Sequence, residues 1–445
     1  MYARNLLLWP VFFGLVCAFS SFADIQYAGV NLSGAEFGMT HLPGTFNTDY
    51  AYPTSAEVDY YKSKGMNFIR LPFRWERLQH TNSAPLDPTE LGRMNAFVSY
   101  ATSNGIYVLL DPHNFMRYYP SPRSAYQNAT VGLVGDYAGS TVSNADFANF
   151  WSQIAAIYQT NNHVFFGLNN ETDALPEAEL VTSENAAIAA IRATGATNLI
   201  FVPGTDYTGA WTWLNDNGSF GAANSVAMLG IVDPGSNYLF EVHQYLDSDG
   251  SGTHTNIVST DIGWQRLTDF TAWARAHNVK GFLGEYAVPG NLFTTNKGGM
   301  GGLALNTMLG YIQANSDVWV GWSYWGGGPR WGNNPLFPID PKNIGTVNQT
   351  DQLAMSVIKH FFPLPAPTLQ LTNGNQFQYS AAQGFVYQPQ FSSDLTSSDN
   401  WTNLGPAVTN VPAPTSASLN PPLIVNMTVG PGSQGFYRVQ VSHAP

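Results

Sequence analysis

Between residues 26 and 322, short apolar runs of strand length alternate with longer segments whose apolar residues recur at helical spacing. The runs are Gln26–Asn31, Asn67–Phe73, Tyr107–Leu110, Val164–Leu168, Leu199–Val202, Tyr238–Val242, Gly281–Leu283 and Val318–Trp322. The helical segments are Ser55–Lys64, Asp87–Ser103, Asn144–Gln159, Glu177–Ala193, Thr260–His277 and Met300–Ala314. Strands that alternate with helices predict a parallel sheet, since a parallel neighbour is reached only by a crossover. Eight such runs over roughly 340 residues favour an α/β fold of the (β/α)8 TIM barrel type with long loops. A doubly wound open sheet is the alternative, and no glycine-rich dinucleotide fingerprint follows the first run to support it.

The pattern changes after His360, where Phe361-Phe362-Pro363-Leu364-Pro365-Ala366-Pro367 reads as stiff and extended. Beyond it, residues 368–445 carry only Asp394, Asp399 and Arg438 as charged side chains, and short strands such as Phe385–Gln388 and Leu423–Val429 are broken by Gly, Pro, Asn and Ser. A small C-terminal all-β module, sandwich-like, is predicted. Tyr379, Tyr387, Phe391 and Trp401 would form either its core or a sugar-binding face.

At the other end, Arg4 precedes an apolar stretch from Leu6 to Phe19 and the small-x-small triplet Ser21-Phe22-Ala23. This is the pattern of an export signal cleaved before Asp24; it falls short of the roughly 20 residues that span a bilayer. A lipoprotein signal at Cys17 is disfavoured by Val16, where a small residue is usual. The expected organisation is signal peptide 1–23, catalytic barrel 24–361, linker 362–367 and β module 368–445. The location implied is secreted and extracellular, or periplasmic in a bacterium, with no membrane attachment after signal removal.

Composition narrows the chemistry. Cys17 is the only cysteine, so the mature chain forms no disulfide and offers neither a thiolate zinc site nor a cysteine nucleophile. No HExxH or paired His at helical spacing occurs, and neither a catalytic metal nor a cofactor is expected. A net charge of -12 excludes nucleic acid as the partner, because phosphate binding needs clustered Lys and Arg. The 12 Trp, 22 Tyr and 27 Phe supply a large core and, in addition, flat faces suited to a neutral sugar.

Active sites of this fold lie at the C-terminal ends of the strands, and there the chain places distinctive polar residues. Arg70 lies within the second run, Asp111-Pro112-His113-Asn114 closes the third, Asn170-Glu171 the fourth, His243-Gln244-Tyr245 the sixth and Glu285-Tyr286 the seventh, and Trp325 follows the eighth. Glu171 and Glu285 are candidates for the two carboxyl groups that cleave a glycosidic bond, one protonating the leaving oxygen and the other acting across the ring. Either alone reads equally as a solvated loop acid or a helix cap.

The ordered segments Tyr27-Ala28-Gly29-Val30-Asn31-Leu32-Ser33-Gly34-Ala35-Glu36-Phe37-Gly38, Arg70-Leu71-Pro72-Phe73, Leu110-Asp111-Pro112-His113-Asn114, Glu241 to Gly252 and Leu283-Gly284-Glu285-Tyr286 resemble glycoside hydrolase family 5 endoglucanases of subfamily 5, over about residues 25 to 360. The resemblance implies a retaining double displacement with Glu285 as nucleophile and Glu171 as acid and then base. It further implies that Arg70 and Tyr245 support the nucleophile, Asn170 contacts the sugar 2-hydroxyl, His113 and His243 line the cleft, and Trp325 is a sugar platform. Trp211 and Trp213 are either platforms on the leaving-group side or core. Thr172 stands where the family commonly has proline, a residue that would restrict Glu171. The implied substrate is a β-1,4-glucan, cellulose or cello-oligosaccharides, met by a monomer. The same mechanism on mannan, xyloglucan or mixed-linkage glucan is the nearest alternative, and a carbohydrate-binding protein without catalysis the alternative from another class.

Overall fold

The structure is a computed structural model and describes residues 25–119, 132–136, 140–216, 221–294, 299–332 and 335–363, together with 369–373, 376–381, 385–392, 402–409, 423–428 and 436–443. The expected signal segment lies outside the described residues. The chain divides into two compact units, one spanning Asp24–Pro363 and one containing Leu364–Pro445.

In the larger unit, eight strands close a parallel barrel in sequence order: β1 (Tyr27–Leu32), β2 (Phe68–Phe73), β3 (Tyr107–Pro112), β4 (Val164–Gly167), β5 (Ile200–Pro203), β6 (Tyr238–His243), β7 (Gly281–Glu285) and β8 (Trp319–Gly327). The longer helices are α1 (Ser55–Lys64), α2 (Pro88–Ser103), α3 (Asn144–Tyr158), α4 (Glu177–Ala193), α5 (Ile262–Ala276) and α6 (Gly299–Ala314). Local chemistry sets their starts. Asp87 accepts from the Glu90 amide at 2.8 Å with Pro88 in the first turn, and Ser143 and Asp146 cap α3 reciprocally at 3.1 and 3.0 Å.

Several strands run further than their apolar patterns. β3 extends to Pro112, β6 to His243, β7 to Glu285 and β8 to Gly327, so the polar residues predicted to follow these runs are partly in the strands themselves. Side chains on one face of a strand recur every second residue. Phe68, Leu109, Phe165, Phe201, Leu239, Phe282 and Val320 pack together from seven strands as an apolar floor. Two residues on, three of the same faces carry Arg70, Asp111 and Glu241, and His243 follows Glu241 at the same interval. The period that builds the floor therefore also stacks buried charges above it. Gly284 makes room for them: a Cβ there would lie 2.1 Å from Glu241 Oε1.

One expectation is corrected. The linker does not begin at Phe362, which is 1% exposed and packs on Trp322 at 5.9 Å between ring centroids; burial of that ring moves the end of the barrel unit to Pro363. Between β5 and β6, where a full crossover helix is the barrel norm, the described residues form the single turn Asn224–Ala227 and 3-10 turns.

In the second unit the described residues form β-sheets. Leu369–Asn373, Gln376–Ala381 and Leu423–Thr428 form one antiparallel sheet, and Phe385–Ser392 pairs with Thr402–Asn403, Val408–Thr409 and Phe436–His443 in another. Tyr387 is buried, which places it with the core reading. Trp401 lies outside the described residues.

Candidate active site

The mouth of the barrel gathers Arg70 from β2, Asp111 from β3 and His113 just after it, Asn170 and Glu171 after β4, Glu241 and His243 from β6, Tyr245, and Glu285 from β7. Arg70 is fully buried at the centre. Its Nη1 lies 2.8 Å from Glu285 Oε1 and 3.0 Å from Asp111 Oδ2, and its Nε lies 2.8 Å from Glu241 Oε1. Burial opposes the guanidinium charge, but Asp111, Glu241 and Glu285 outweigh it and hold the group protonated.

Arg70 also starts a ring of hydrogen bonds. Its Nη2 donates to Asn170 Oδ1 at 2.7 Å, and Asn170 Nδ2 lies 3.3 Å from His113 Nε2. His113 Nδ1 lies 2.9 Å from Asp111 Oδ2, which returns to Arg70. Burial, and then the Arg70 charge, push His113 well below its ordinary value. A neutral ring with its proton on Nδ1 satisfies both contacts, because Asn170 Nδ2 can only donate and the Asp111 carboxylate can only accept. Asn170 is thereby fixed in orientation with a second amide hydrogen to offer.

Glu285 is 3% exposed and receives Arg70 Nη1 and, at 2.8 Å, the Tyr245 hydroxyl. Both donors favour its ionised form. Burial and the nearby Glu171 charge raise Glu285 to about 7, against the pull of His243, Arg70 and Tyr245. Tyr245 itself is held well above its ordinary value by burial and by Glu285, so it remains a donor. Glu171 faces the open side, with its side chain 17% exposed and Oε1 at 2.6 Å from His243 Nδ1. His243 Nε2 lies 3.2 Å from Glu241 Oε1; burial works against its charge, but Glu285, Glu171 and Glu241 lift it to about 10. One carboxylate oxygen each of Glu171 and Glu285 and a His243 ring nitrogen lie within 4.8 Å of one another.

A cleft of about 460 Å³ opens beside Glu171, lined also by Tyr207, Trp211, His243, Gln244 and Tyr245. The two uncertain tryptophans separate cleanly. Trp211 is 45% exposed, with its backbone amide on Gln244 Oε1 at 2.9 Å and the Arg266 guanidinium 4.2 Å from its ring. Trp213 is fully buried against Phe240, Phe270 and Trp273; as a platform it is corrected to core. Trp325, within β8, stacks on His113 at 5.4 Å and 16°. Asp249 accepts from the Ser251 hydroxyl at 2.8 Å as a turn residue would.

Glu241 and Asn31 are the site residues missed from sequence. Asn31 Nδ2 donates to the Gly284 carbonyl at 2.9 Å while its Oδ1 accepts from Arg70 at 3.1 Å, tying the arginine to the backbone before Glu285. Both residues sit in motifs already singled out. The available signal was a charged or amide residue at an inward period-2 position of a strand.

A pair of acids above the floor of a closed parallel barrel, one buried among cationic and hydroxyl donors and the other facing an aromatic-lined cleft, defines a glycoside hydrolase. Comparison with known proteins agrees. The family model described as cellulase, glycosyl hydrolase family 5, matches residues 30–328, and the chain belongs to this family. It is 38% identical over 317 residues to endo-beta-1,4-glucanase B of Aspergillus niger, covering 71% of this chain and 85% of that protein. Among solved structures it is similar to the endo-beta-1,4-glucanase Xac0029 from Xanthomonas axonopodis pv. citri, with 40% identity, 75% and 98% coverage and a TM-score of 0.67. It is also similar to Pseudomonas stutzeri endoglucanase Cel5A in complex with cellobiose, with 29% identity, 76% and 92% coverage and a TM-score of 0.61.

Proposed function

We propose that this protein is a secreted, retaining endo-β-1,4-glucanase that cleaves internal bonds of cellulose or related β-glucans, with Glu285 as nucleophile and Glu171 as acid and base. The observation that carries the reading is the spacing of the acids, whose nearest carboxylate oxygens lie within 4.8 Å. Retaining pairs stand about 5–5.5 Å apart, whereas inverting pairs stand about 6.5–9.5 Å apart to admit a water between them.

In the first step a Glu285 oxygen attacks the anomeric carbon while Glu171 gives its proton to the leaving glycosidic oxygen, leaving a glycosyl ester on Glu285. In the second, Glu171 takes a proton from water, the water oxygen attacks the same carbon, and Glu285 departs as carboxylate. Arg70 and Tyr245 bond the departing and returning charge on Glu285. Asn170, oriented by Arg70 and His113, offers its free amide hydrogen to the sugar 2-hydroxyl, a contact that strengthens as positive charge develops on the ring. Trp325 supports the sugar before the scissile bond, and Trp211 one after it.

The glucan reading draws on the relatives named as endo-beta-1,4-glucanases and on the neighbour that holds cellobiose. Residues 1–23 would serve as the export signal, and the all-β unit would act as an accessory module on a monomeric enzyme. Initial rates on carboxymethylcellulose, mannan and xyloglucan test the substrate. Carboxymethylcellulose is expected to be cleaved fastest, by at least about 10-fold, a margin that differential subsite contacts of roughly 1–3 kcal/mol supply. Faster cleavage of mannan would overturn the assignment.

A further inference from the structure

Glu171 has a backbone φ of +41°, in the left-handed region where a residue with a Cβ is strained. Strain of this kind persists only where the surroundings enforce it, and the chain on either side is firmly anchored. Trp151 Nε1 donates to the Leu168 carbonyl at 3.1 Å, the Asn170 amide donates to the Pro112 carbonyl at 3.2 Å, and the Thr172 carbonyl accepts from the Tyr207 amide at 3.0 Å. These contacts fix the flanks. The link that spans Glu171 itself is the side chain of Asn169. Its Nδ2 donates to the Asn170 carbonyl at 2.6 Å and reaches the Thr172 hydroxyl at 3.5 Å, one contact on each side of the acid.

We propose that Asn169 is a positioning residue for Glu171, its amide bracketing the acid between the Asn170 carbonyl and the Thr172 hydroxyl and so holding the Glu171 carboxyl against His243 at the cleft. Asn169 is 2% exposed, out of reach of a sugar in the cleft, so it acts through the backbone and not on substrate. It is also separate from the ring that orients Asn170, whose side-chain amide is engaged by Arg70 and His113. Thr172, fully buried, provides the hydroxyl that a proline at this position would lack. Without the bracket, φ at Glu171 relaxes toward negative values and swings the carboxyl away from its place beside the leaving oxygen. Misplacement of a reacting group by about 1 Å can cost on the order of 100-fold in rate.

This inference rests on Glu171 being the proton donor, so the test compares substrates that differ in their need for one. Asn169→Asp keeps the shape and removes the donor. The value of kcat/KM on cellopentaose is expected to fall roughly 10- to 100-fold, while on 2,4-dinitrophenyl β-cellobioside, whose leaving group needs no proton, it changes by less than about 3-fold. Thr172→Val, which removes only the acceptor, is expected to give a smaller split of the same sign and serves as the readout should the Asp variant not fold. Equal losses on the two substrates, or no loss on cellopentaose, overturn the proposal. Glu171→Ala run alongside separates the two readings. If it splits the substrates and Asn169→Asp does not, the positioning role is wrong; if Glu171→Ala itself fails to split them, the acid assignment is wrong.

Discussion

Glu285→Gln is expected to lower turnover of carboxymethylcellulose by at least about 10³-fold while leaving cello-oligosaccharide binding measurable, because it removes a covalent nucleophile without changing the shape of the site. The amide cannot form the glycosyl ester, and it carries no charge to offset the positive character of the transition state. The remaining machinery stays in place. Arg70 keeps its ion pairs to Asp111 and Glu241, and Tyr245 keeps its stacking on Phe337, so the cleft should retain its form. Turnover assays paired with calorimetric titration of cellopentaose check both halves. Unchanged turnover would reject the nucleophile assignment; loss of binding together with turnover would point to a disrupted site instead.

The second large effect is expected at Glu171. Glu171→Ala should reduce kcat/KM on natural glucan by about 10²- to 10⁴-fold, the usual contribution of a positioned acid, yet leave the first step on 2,4-dinitrophenyl β-cellobioside within about 10-fold of the parent. The pH profile gives an independent sign. Burial and the nearby Glu171 charge raise Glu285 to about 7, and the first step needs Glu285 ionised to attack. In the parent enzyme kcat/KM should therefore fall as pH drops through about 7. Removing Glu171 removes both the acid and the charge that raises Glu285. The acid limb on the activated substrate, set by protonation of the nucleophile, should then move to lower pH. Equal losses on both substrates with an unchanged profile would contradict the acid role.

The barrel was legible in the sequence because its strands are buried on both faces at their N-terminal halves and read there as plain apolar runs. Their C-terminal ends were harder to read for a functional reason. Glu241, His243 and Asp111 face inward on strands, where pattern alone assigns charge to solvent, and they are stable there only because Arg70 and the histidines pair them. Asn169 escaped notice because an amide that hydrogen-bonds a backbone carbonyl after the strand leaves no trace in periodicity or charge. Phe362 was assigned to a linker by the prolines that follow it, and only its packing on Trp322 places it in the barrel. Trp211 and Trp213 lie two residues apart, and nothing local separates them. Gln244 and Arg266 hold the first at the cleft, while β6 and α5 enclose the second.

The assignment of Glu285 as the residue that becomes glycosylated is the centre of the account, and a trapped intermediate tests it most directly. A 2-deoxy-2-fluoro-β-cellobioside with a dinitrophenyl leaving group should react once and stall as an ester, since fluorine at C2 slows both attack and release while the good leaving group speeds attack alone. Peptide mass mapping of the inactivated enzyme is predicted to place the added disaccharide on Glu285. An adduct on Glu171 or elsewhere, or no adduct together with a product of inverted anomeric configuration, would contradict it.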